Sequence, residues 1–163
     1  MAEVLRFSEN LEENLIVLQN ELIWRTWTPR PYRRFIVSEP KTREIAAPDY
    51  RDRVIHHALV RIIEPLFDRK MIDTSFACRV GKGTHAGVQK ASEFIRESRA
   101  KFGSFYILKG DVPKYFYSVD HAVLKRIIRR TIRCRPTLWL LDKIIDNGTE
   151  GDVGLPIGAL TSQ

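Results

Sequence analysis

The chain has 163 residues, of which 44% are hydrophobic and 29% are charged, with a formal net charge of +7. This length and composition are typical of one globular domain with its own core. No apolar run approaches the roughly 20 residues of a membrane span, and the N-terminus lacks the basic and apolar regions of a secretory signal. Cys78 and Cys134 lie too far apart for a metal-ligand pair, so we expect reduced thiols in a cytoplasmic protein. The positive charge favours a polyanionic partner, although an ordinary basic protein also carries such a charge.

The charge is unevenly distributed along the chain. Residues 1–24 contain five acids and one base, whereas residues 122–135 contain six bases and no acid. Within residues 4–26 the apolar side chains recur at spacings of three and four, which predicts an amphipathic helix with a break near residues 8–10. Pro29 and Pro31 are expected to end it.

Two short strand-like runs follow, at residues 35–37 and 44–47, with a polar turn between them. They predict a β-hairpin with basic edges, a feature that solvated edge strands also favour. Apolar spacing then predicts a helix over residues 52–68. His56 and His57 are adjacent there and would point about 100° apart, so we expect packing or surface roles rather than a metal pair.

A basic glycine turn at residues 81–83 comes before the next predicted helix. Thr84 is the candidate N-cap, and the helix is predicted to continue to about Arg99. Such a turn can hold phosphate through backbone N–H groups. The spacing of a Walker loop is absent, however, and a plain loop is the simpler interpretation.

Residues 104–108 (SFYIL) are aromatic, β-branched and apolar, which predicts a buried strand. Asp111 comes directly where this strand should end. A lone carboxylate at such a place is costly unless something positive meets it, and a metal ion is one common solution. A strand-end cap or a salt-bridged acid is the simpler alternative for Asp111.

Two further helices are predicted before the C-terminal segment. Ser118 or Asp120 caps the first, whose apolar residues alternate with bases that lie largely on its other faces. A run of charge is usually a solvated face, but the single sign here favours nucleic acid. Pro136 fits the first turn of the second helix. Gly154 and Gly158 then flank residues 155–157 and allow the backbone to come close to something flat or charged.

Taken together and in this order, these segments resemble a bacterial reverse transcriptase of the branch that includes group II intron, retron and diversity-generating retroelement enzymes. Four blocks carry the resemblance. Residues 41–58 and 75–85 resemble the two fingers blocks, residues 111–121 the metal-binding block of the palm, and residues 154–163 the template- and nucleotide-binding block. The match covers roughly residues 30–163.

The resemblance implies an α+β fold. It divides the chain into an N-terminal helical segment (1–30), a fingers region of helices with a β-hairpin (31–103), and the first part of a palm with a partial antiparallel sheet (104–163). The implied activity is RNA-directed DNA polymerisation with two Mg²⁺ ions, with Mn²⁺ as an alternative. Asp111 matches the first catalytic and metal-binding carboxylate, and the backbone carbonyl of Val112 adds a ligand.

The other site residues are carried over by matching positions. Phe116 matches the aromatic gate that excludes a ribose 2′-hydroxyl, with a core aromatic as the alternative. Arg43 and Lys41 match the bases that clamp the incoming triphosphate. Nucleic-acid contacts are expected from Arg79, Lys82, Pro156, Gly158 and Gln163, although a solvated loop explains the first two as well. A structural role, such as a cap or an ion pair, is expected for Asp52 and Arg53.

Two departures from the family pattern matter. Ile157 stands where most of the wider family has a nucleotide-contacting Gln, so we expect relaxed fidelity; restoring Gln at position 157 in a longer polypeptide should lower misincorporation. The Tyr-x-Asp-Asp block of the palm does not occur in these 163 residues. We therefore expect an inactive fragment whose bared palm surface can self-associate.

The implied partners are an RNA template, a DNA or RNA primer and deoxynucleoside triphosphates, with no membrane. The alternative is a non-catalytic nucleic-acid-binding module derived from a reverse transcriptase. A third interpretation is a basic α+β domain that binds a protein. It predicts no salt-dependent affinity for an RNA–DNA hybrid, whereas phosphate contacts give a steep salt dependence.

Overall fold

The computed structural model describes residues 2–39, 41–149 and 151–162. That part of the chain has an α+β fold with six α-helices and one two-stranded antiparallel sheet, which confirms the predicted fold class. In chain order the elements are α1 (Ala2–Glu9), α2 (Leu11–Ile23), β1 (Arg33–Val37), β2 (Arg43–Ala47), α3 (Tyr50–Asp68), α4 (Thr84–Phe102), α5 (His121–Arg129) and α6 (Arg135–Asn147), with short 3₁₀ helices at Tyr115–Ser118 and Leu160–Ser162. None of the helices in the described part combines the length and apolar character that a membrane span needs.

The predicted N-terminal helix is interrupted at Asn10, as expected, so that α1 and α2 are separate. The predicted terminators, Pro29 and Pro31, are wrong because α2 ends earlier, at Ile23. Arg25 adopts a left-handed backbone with φ of 55° just after this end. Because a residue with this φ cannot continue a right-handed helix, the chain leaves α2 before either proline.

The β-hairpin forms as predicted, with β1 antiparallel to β2 and Phe35 opposite Ile45. Ala46 of β2 is buried, while the residues of β1 are exposed.

Helix α3 begins at Tyr50 and buries Asp52, Ile55, His56 and Leu59, which lie three and four residues apart on one face. The Asp52 carboxylate accepts hydrogen bonds from Trp27 Nε1 at 3.2 Å and from the backbone N–H of Arg30 at 2.7 Å. Burial raises the pKa of Asp52 against the opposing effect of these donors and of the Arg51 charge.

Asp52 thereby ties the segment after α2 to the start of α3. Arg53 is also engaged, since its Nη2 lies 3.5 Å from the carboxylate of Glu3. The structural role predicted for Asp52 and Arg53 is therefore confirmed.

The N-cap predicted for α4 is wrong by one residue. Thr84 is the first helical residue, and Gly83 occupies the cap position with φ of 110°, a backbone conformation that favours glycine. The helix continues past Arg99 to Phe102 and ends at Gly103, which has φ of 70°.

The strand predicted at residues 104–108 is wrong. These residues have no regular secondary structure, and Tyr106, Ile107 and Leu108 are 103%, 71% and 97% exposed. A strand needs a neighbouring strand for its backbone N–H and C=O groups. Within the described chain the only ladder joins β1 and β2, with one isolated bridge between Asp120 and Val153. The partial palm sheet is therefore not formed by the described residues.

Helices α5 and α6 form as predicted, and α6 contributes four buried apolar side chains to the core. Of the two candidate caps of α5, the structure uses Asp120, whose side chain accepts a hydrogen bond from the backbone of Val123 at 2.8 Å. The buried apolar side chains of this region are Ile132, Leu140, Leu141, Ile144 and Ile145.

The chain divides into two compact units, residues 1–63 with 114–163 and residues 64–113. The first contains the hairpin, α5, α6 and the glycine-flanked segment; the second contains α4 and residues 104–113. This division reflects packing, whereas the predicted boundaries at residues 30 and 103 follow the family resemblance. The fingers and palm boundaries stay a prediction.

Candidate functional site

The glycine-flanked segment at residues 154–158 is held by backbone hydrogen bonds from both sides. Leu155 N donates to Phe116 O at 2.7 Å, and Gly154 N donates to Val119 O at 2.7 Å. On the other side, Ala46 N of β2 donates to Ile157 O at 2.7 Å. The segment therefore lies between the 3₁₀ helix Tyr115–Ser118 and the hairpin, and it joins three regions that are far apart in sequence.

Gly158 is required at the contact with β2. Its φ is 119°, and an added Cβ would lie 2.7 Å from Ile45 Cγ2 and 3.3 Å from Ala46 O. Pro156 is buried, and a Cβ on Gly148 would lie 2.5 Å from its Cδ. The glycines thus permit a close approach of backbone to backbone, as expected from the sequence, and here the approach is to the protein itself.

Two buried histidines bind this segment and the residues just after it, and sequence reasoning gave neither of them that role. His121 Nε2 lies 2.6 Å from Gly154 O, and because a carbonyl oxygen only accepts, Nε2 carries the hydrogen. His121 Nδ1 lies 3.6 Å from Asp146 Oδ1 and has no hydrogen-bond partner among the described residues. The only sequence signal for His121 was its place directly after the capping Asp120.

The second histidine, His56 of α3, forms a 3.2 Å hydrogen bond between its Nδ1 and the Thr161 hydroxyl. Burial lowers the pKa of His56 to about 4, with a smaller contribution from the neighbouring His57. His57 is exposed. The expectation of packing or surface roles for these two histidines is confirmed, with His56 packed in the core and His57 on the surface.

Phe116 is half-buried beside the segment. Its ring packs edge-on against Tyr115, with centroids 5.6 Å apart and planes at 78°. It also lines an open pocket of about 270 Å³ together with Leu155, Pro156, Thr161 and apolar side chains of α5 and α6. Phe116 is thus a packed aromatic, and its role as a gate stays a prediction.

Arg43 and Lys41 are exposed at the turn end of the hairpin. Because side chains alternate along a strand, Arg43 shares the face of Ile45, the residue that contacts Gly158. The Arg43 guanidinium makes no ion pair or hydrogen bond with any described residue, whereas Arg34 on β1 lies 3.6 Å from the Glu44 carboxylate. Arg43 is therefore free to bind an anion near the glycine-flanked segment.

Asp111 and Val112 lie in the second unit and are exposed, outside any helix or strand. Nowhere in residues 2–39, 41–149 and 151–162 do three or more His, Cys, Asp or Glu side chains come together in a way that could hold a metal ion. The described residues therefore do not fit a pair of Mg²⁺ ions by themselves.

Arg79 and Lys82 are engaged within the second unit. Arg79 Nε donates to Asp68 at 2.6 Å, which lowers the pKa of that carboxyl, and its Nη1 donates to the carbonyls of Ile72 and Ser75. Lys82 Nζ donates to Asp73 Oδ1 at 2.6 Å. Both side chains thus stabilise the loop before α4. Their nucleic-acid roles stay predictions, and Gln163 lies outside the described residues.

Comparisons with known proteins give relatives but no matching family model. The chain is 29% identical over 147 residues to Protein YkfC of Escherichia coli (strain K12), covering 89% of the chain and 38% of that protein. It is 31% identical over 110 residues to Nuclear intron maturase 1, mitochondrial, of Arabidopsis thaliana, covering 65% of the chain and 14% of that protein. It is 24% identical over 140 residues to Group II intron-encoded protein LtrA of Lactococcus lactis subsp. cremoris, covering 84% of the chain and 22% of that protein. The chain thus spans well under half the length of each of these relatives.

Proposed function

We propose that this chain, which is similar to an intron maturase and to a group II intron-encoded protein, forms the fingers and the first part of the palm of an RNA-directed DNA polymerase, that is, of a reverse transcriptase. In this proposal residues 31–103 are the fingers, residues 104–163 begin the palm, and the helical segment of residues 1–30 precedes both. The complete enzyme adds deoxynucleotides to the 3′ end of a DNA or RNA primer on an RNA template.

One observation carries the proposal. Three segments that resemble separate family blocks meet in the first unit: Ala46 N bonds to Ile157 O, and Leu155 N bonds to Phe116 O, each at 2.7 Å. A nucleotide site needs three groups in one place: a cationic side chain that binds the triphosphate, a side chain that packs against the sugar, and a surface that contacts the base pair. The hairpin, the 3₁₀ helix and the glycine-flanked segment are the corresponding parts here.

The proposed roles follow from the chemistry of each side chain. Arg43, with Lys41 beside it, binds the triphosphate, since a planar guanidinium can pair with two phosphate oxygens. Phe116 packs against the sugar and excludes a 2′-hydroxyl. Pro156, Ile157 and Gly158 form the floor beneath the templating base pair, with Gln163 next to them, and Arg79 and Lys82 contact the template strand.

The metal ions of polymerisation require more ligands than these residues supply. A pair of Mg²⁺ ions is held by several carboxylates, and the described residues offer Asp111 with the Val112 carbonyl and no larger group of ligands. We therefore assign ion binding to the complete enzyme.

Triphosphate binding tests the proposal on this chain. We expect Arg43→Gln to weaken the affinity for a deoxynucleoside triphosphate about tenfold, the cost of one charge-assisted contact. Arg34→Gln is the matched control, because Arg34 lies on the same hairpin and already has Glu44 as its partner. Phe116→Val should bring the affinities for dTTP and UTP closer together. Calorimetric titration measures all three.

An equal loss from Arg34→Gln and Arg43→Gln would contradict the assigned triphosphate clamp. The alternative function is a non-catalytic nucleic-acid-binding module. It predicts salt-dependent binding of an RNA–DNA hybrid with no measurable triphosphate binding by the wild-type chain. A reading frame that continues beyond codon 163 into a Tyr-x-Asp-Asp block supports the polymerase.

A further inference from the structure

Five exposed arginines lie just after α2, at the end of α5 and at the start of α6, and we call this group the arginine surface. Its members are Arg25, Arg126, Arg130, Arg133 and Arg135. No ion pair or hydrogen bond joins any of these guanidinium groups to the rest of the described chain. An unpaired cluster of one sign repels itself, so its free energy falls when an anion binds.

The neighbouring bases of the same run are neutralised. Lys125 donates to Asp146, and Arg129 Nη2 donates to Asp142 at 2.6 Å, so that both acids of α6 that face α5 are used. The unpaired charge is therefore left on the arginine surface, at the end of α5 and the start of α6.

Four of the arginines lie within ten residues of the chain, across the connection between α5 and α6. Arg126 and Arg130 are four residues apart and share one side of α5. Arg133 and Arg135 flank Cys134, the residue that caps the start of α6. Hydrogen bonds from Thr137 lower the pKa of the Cys134 thiol, and the Arg25 charge adds to this effect, which brings Arg25 to the same place.

The positions of Arg133 and Arg135 argue against a purely structural role. Bases at the end of a helix stabilise its dipole, as Arg126 and Arg130 do on α5, but bases at the start of a helix oppose it. Two arginines at the start of α6, with a third brought in from just after α2, therefore cost stability unless an anion offsets them.

An exposed aromatic residue directly precedes Arg25 in the chain. Trp24, next to Arg25 in the chain, is 76% exposed. Single-stranded nucleic acids bind where a basic surface tracks the phosphates and an exposed aromatic ring stacks on a base. Guanidinium groups also suit phosphate better than the ammonium of lysine, and all five members here are arginines.

We propose that the arginine surface binds a single-stranded segment of RNA, with phosphates on its guanidinium groups and a base stacked on Trp24. This site is additional to the template and nucleotide site, and it rests on the proposed function only for the identity of the polyanion. The contact lets the protein hold an RNA strand without using the hairpin.

Binding of a labelled oligouridylate of about 12 nucleotides tests the proposal, measured by fluorescence anisotropy over a range of salt concentrations. The quadruple variant with Arg126, Arg130, Arg133 and Arg135 each changed to Gln should bind at least about tenfold more weakly. The slope of log K against log salt should become shallower by about 3, since each lost phosphate contact in a single strand removes about 0.7.

The control variant changes Arg61, Arg69, Arg96 and Arg99 to Gln, which alters the net charge equally at exposed positions. Its affinity and salt slope should stay close to those of the wild-type chain. Equal losses in both quadruple variants, or no loss in either, would overturn the proposal. Circular dichroism checks that both variants are folded.

Two further measurements test base stacking and the identity of the polyanion. RNA should quench tryptophan fluorescence in the wild-type chain and much less in Trp24→Phe, and equal quenching would contradict stacking. Polyglutamate should compete poorly; competition as strong as that of RNA would indicate an acidic protein partner instead. Arg43→Gln should retain oligouridylate binding, so failure of the triphosphate site and failure of this site are observed independently.

Discussion

His56 is buried on α3, and its Nδ1 lies 3.2 Å from the Thr161 hydroxyl near the end of the described chain. Burial lowers the pKa of His56 from 6.5 to about 4, with His57 contributing. In the unfolded chain the imidazole takes up its proton near pH 6.5, whereas in the folded chain it stays neutral. The free energy of unfolding should therefore fall as the pH decreases from about 6.5 to 4, by about 3 kcal/mol at most from this group.

Denaturant unfolding at several pH values measures this effect. His56→Gln should flatten the pH dependence in that window, and His57→Gln, at an exposed position, should reduce it much less because it removes only the smaller cause of the shift. Other groups contribute equally to the free energy of unfolding of both variants, so their contributions cancel when the two pH profiles are subtracted. Asp52 is one such group, and its raised pKa makes the free energy of unfolding change with pH in the opposite direction. Parallel pH profiles for the two variants would show that His56 is not buried in its neutral form.

Among the elements, the contact between β2 and the glycine-flanked segment depends on Gly158. Alanine at this position would adopt an unfavourable backbone with φ of 119° and place its Cβ 2.7 Å from Ile45 Cγ2. We expect Gly158→Ala to lower the free energy of unfolding by about 3 kcal/mol. Gly110→Ala is the control, since an added Cβ there meets nothing within 4 Å. A cost for Gly158→Ala no larger than that of the control would rule out the close contact.

The sequence predicted the elements that are stabilised within a short stretch of chain. Helices α3, α5 and α6 follow from apolar spacing and local caps, and the hairpin follows from two short runs with a polar turn between them. The segment at residues 104–108 has the composition of a strand but not its structure. Strand formation requires a partner elsewhere, and the composition of the segment does not say whether that partner is present.

The candidate site was predictable only in its parts. The blocks around Phe116 and residues 154–158 could be named by resemblance, but their contacts could not be predicted. The hydrogen bond from Leu155 to Phe116 joins residues about 40 positions apart, and the one from Ala46 to Ile157 joins residues more than 100 positions apart. The anchoring roles of His121 and His56 have no sequence pattern of their own, because each depends on a carbonyl or hydroxyl that only the fold brings near.

For the whole molecule, the distribution of acids limits what the 163-residue chain can catalyse. Within the described residues no group of side chains is arranged to hold a metal ion, and Asp111 is exposed. We therefore expect the purified chain to give no extension of a labelled primer on an RNA template with Mg²⁺ or Mn²⁺ present. Denaturing gel electrophoresis measures the product, and Asp111→Asn serves as the background. Extension above that background would refute the expectation.

The exposed segment at residues 104–108 has a consequence for the behaviour of the chain in concentrated solution. It is an uncharged run of high β-propensity, and residues 105–108 make no backbone–backbone hydrogen bond within the described chain. Sequences of this kind can stack into cross-β fibrils. Lys101 and Lys109 lie on either side of it and act as gatekeepers, because stacking identical chains would bring like charges together. The solubility of the chain is therefore expected to depend on these two lysines more than on its net charge.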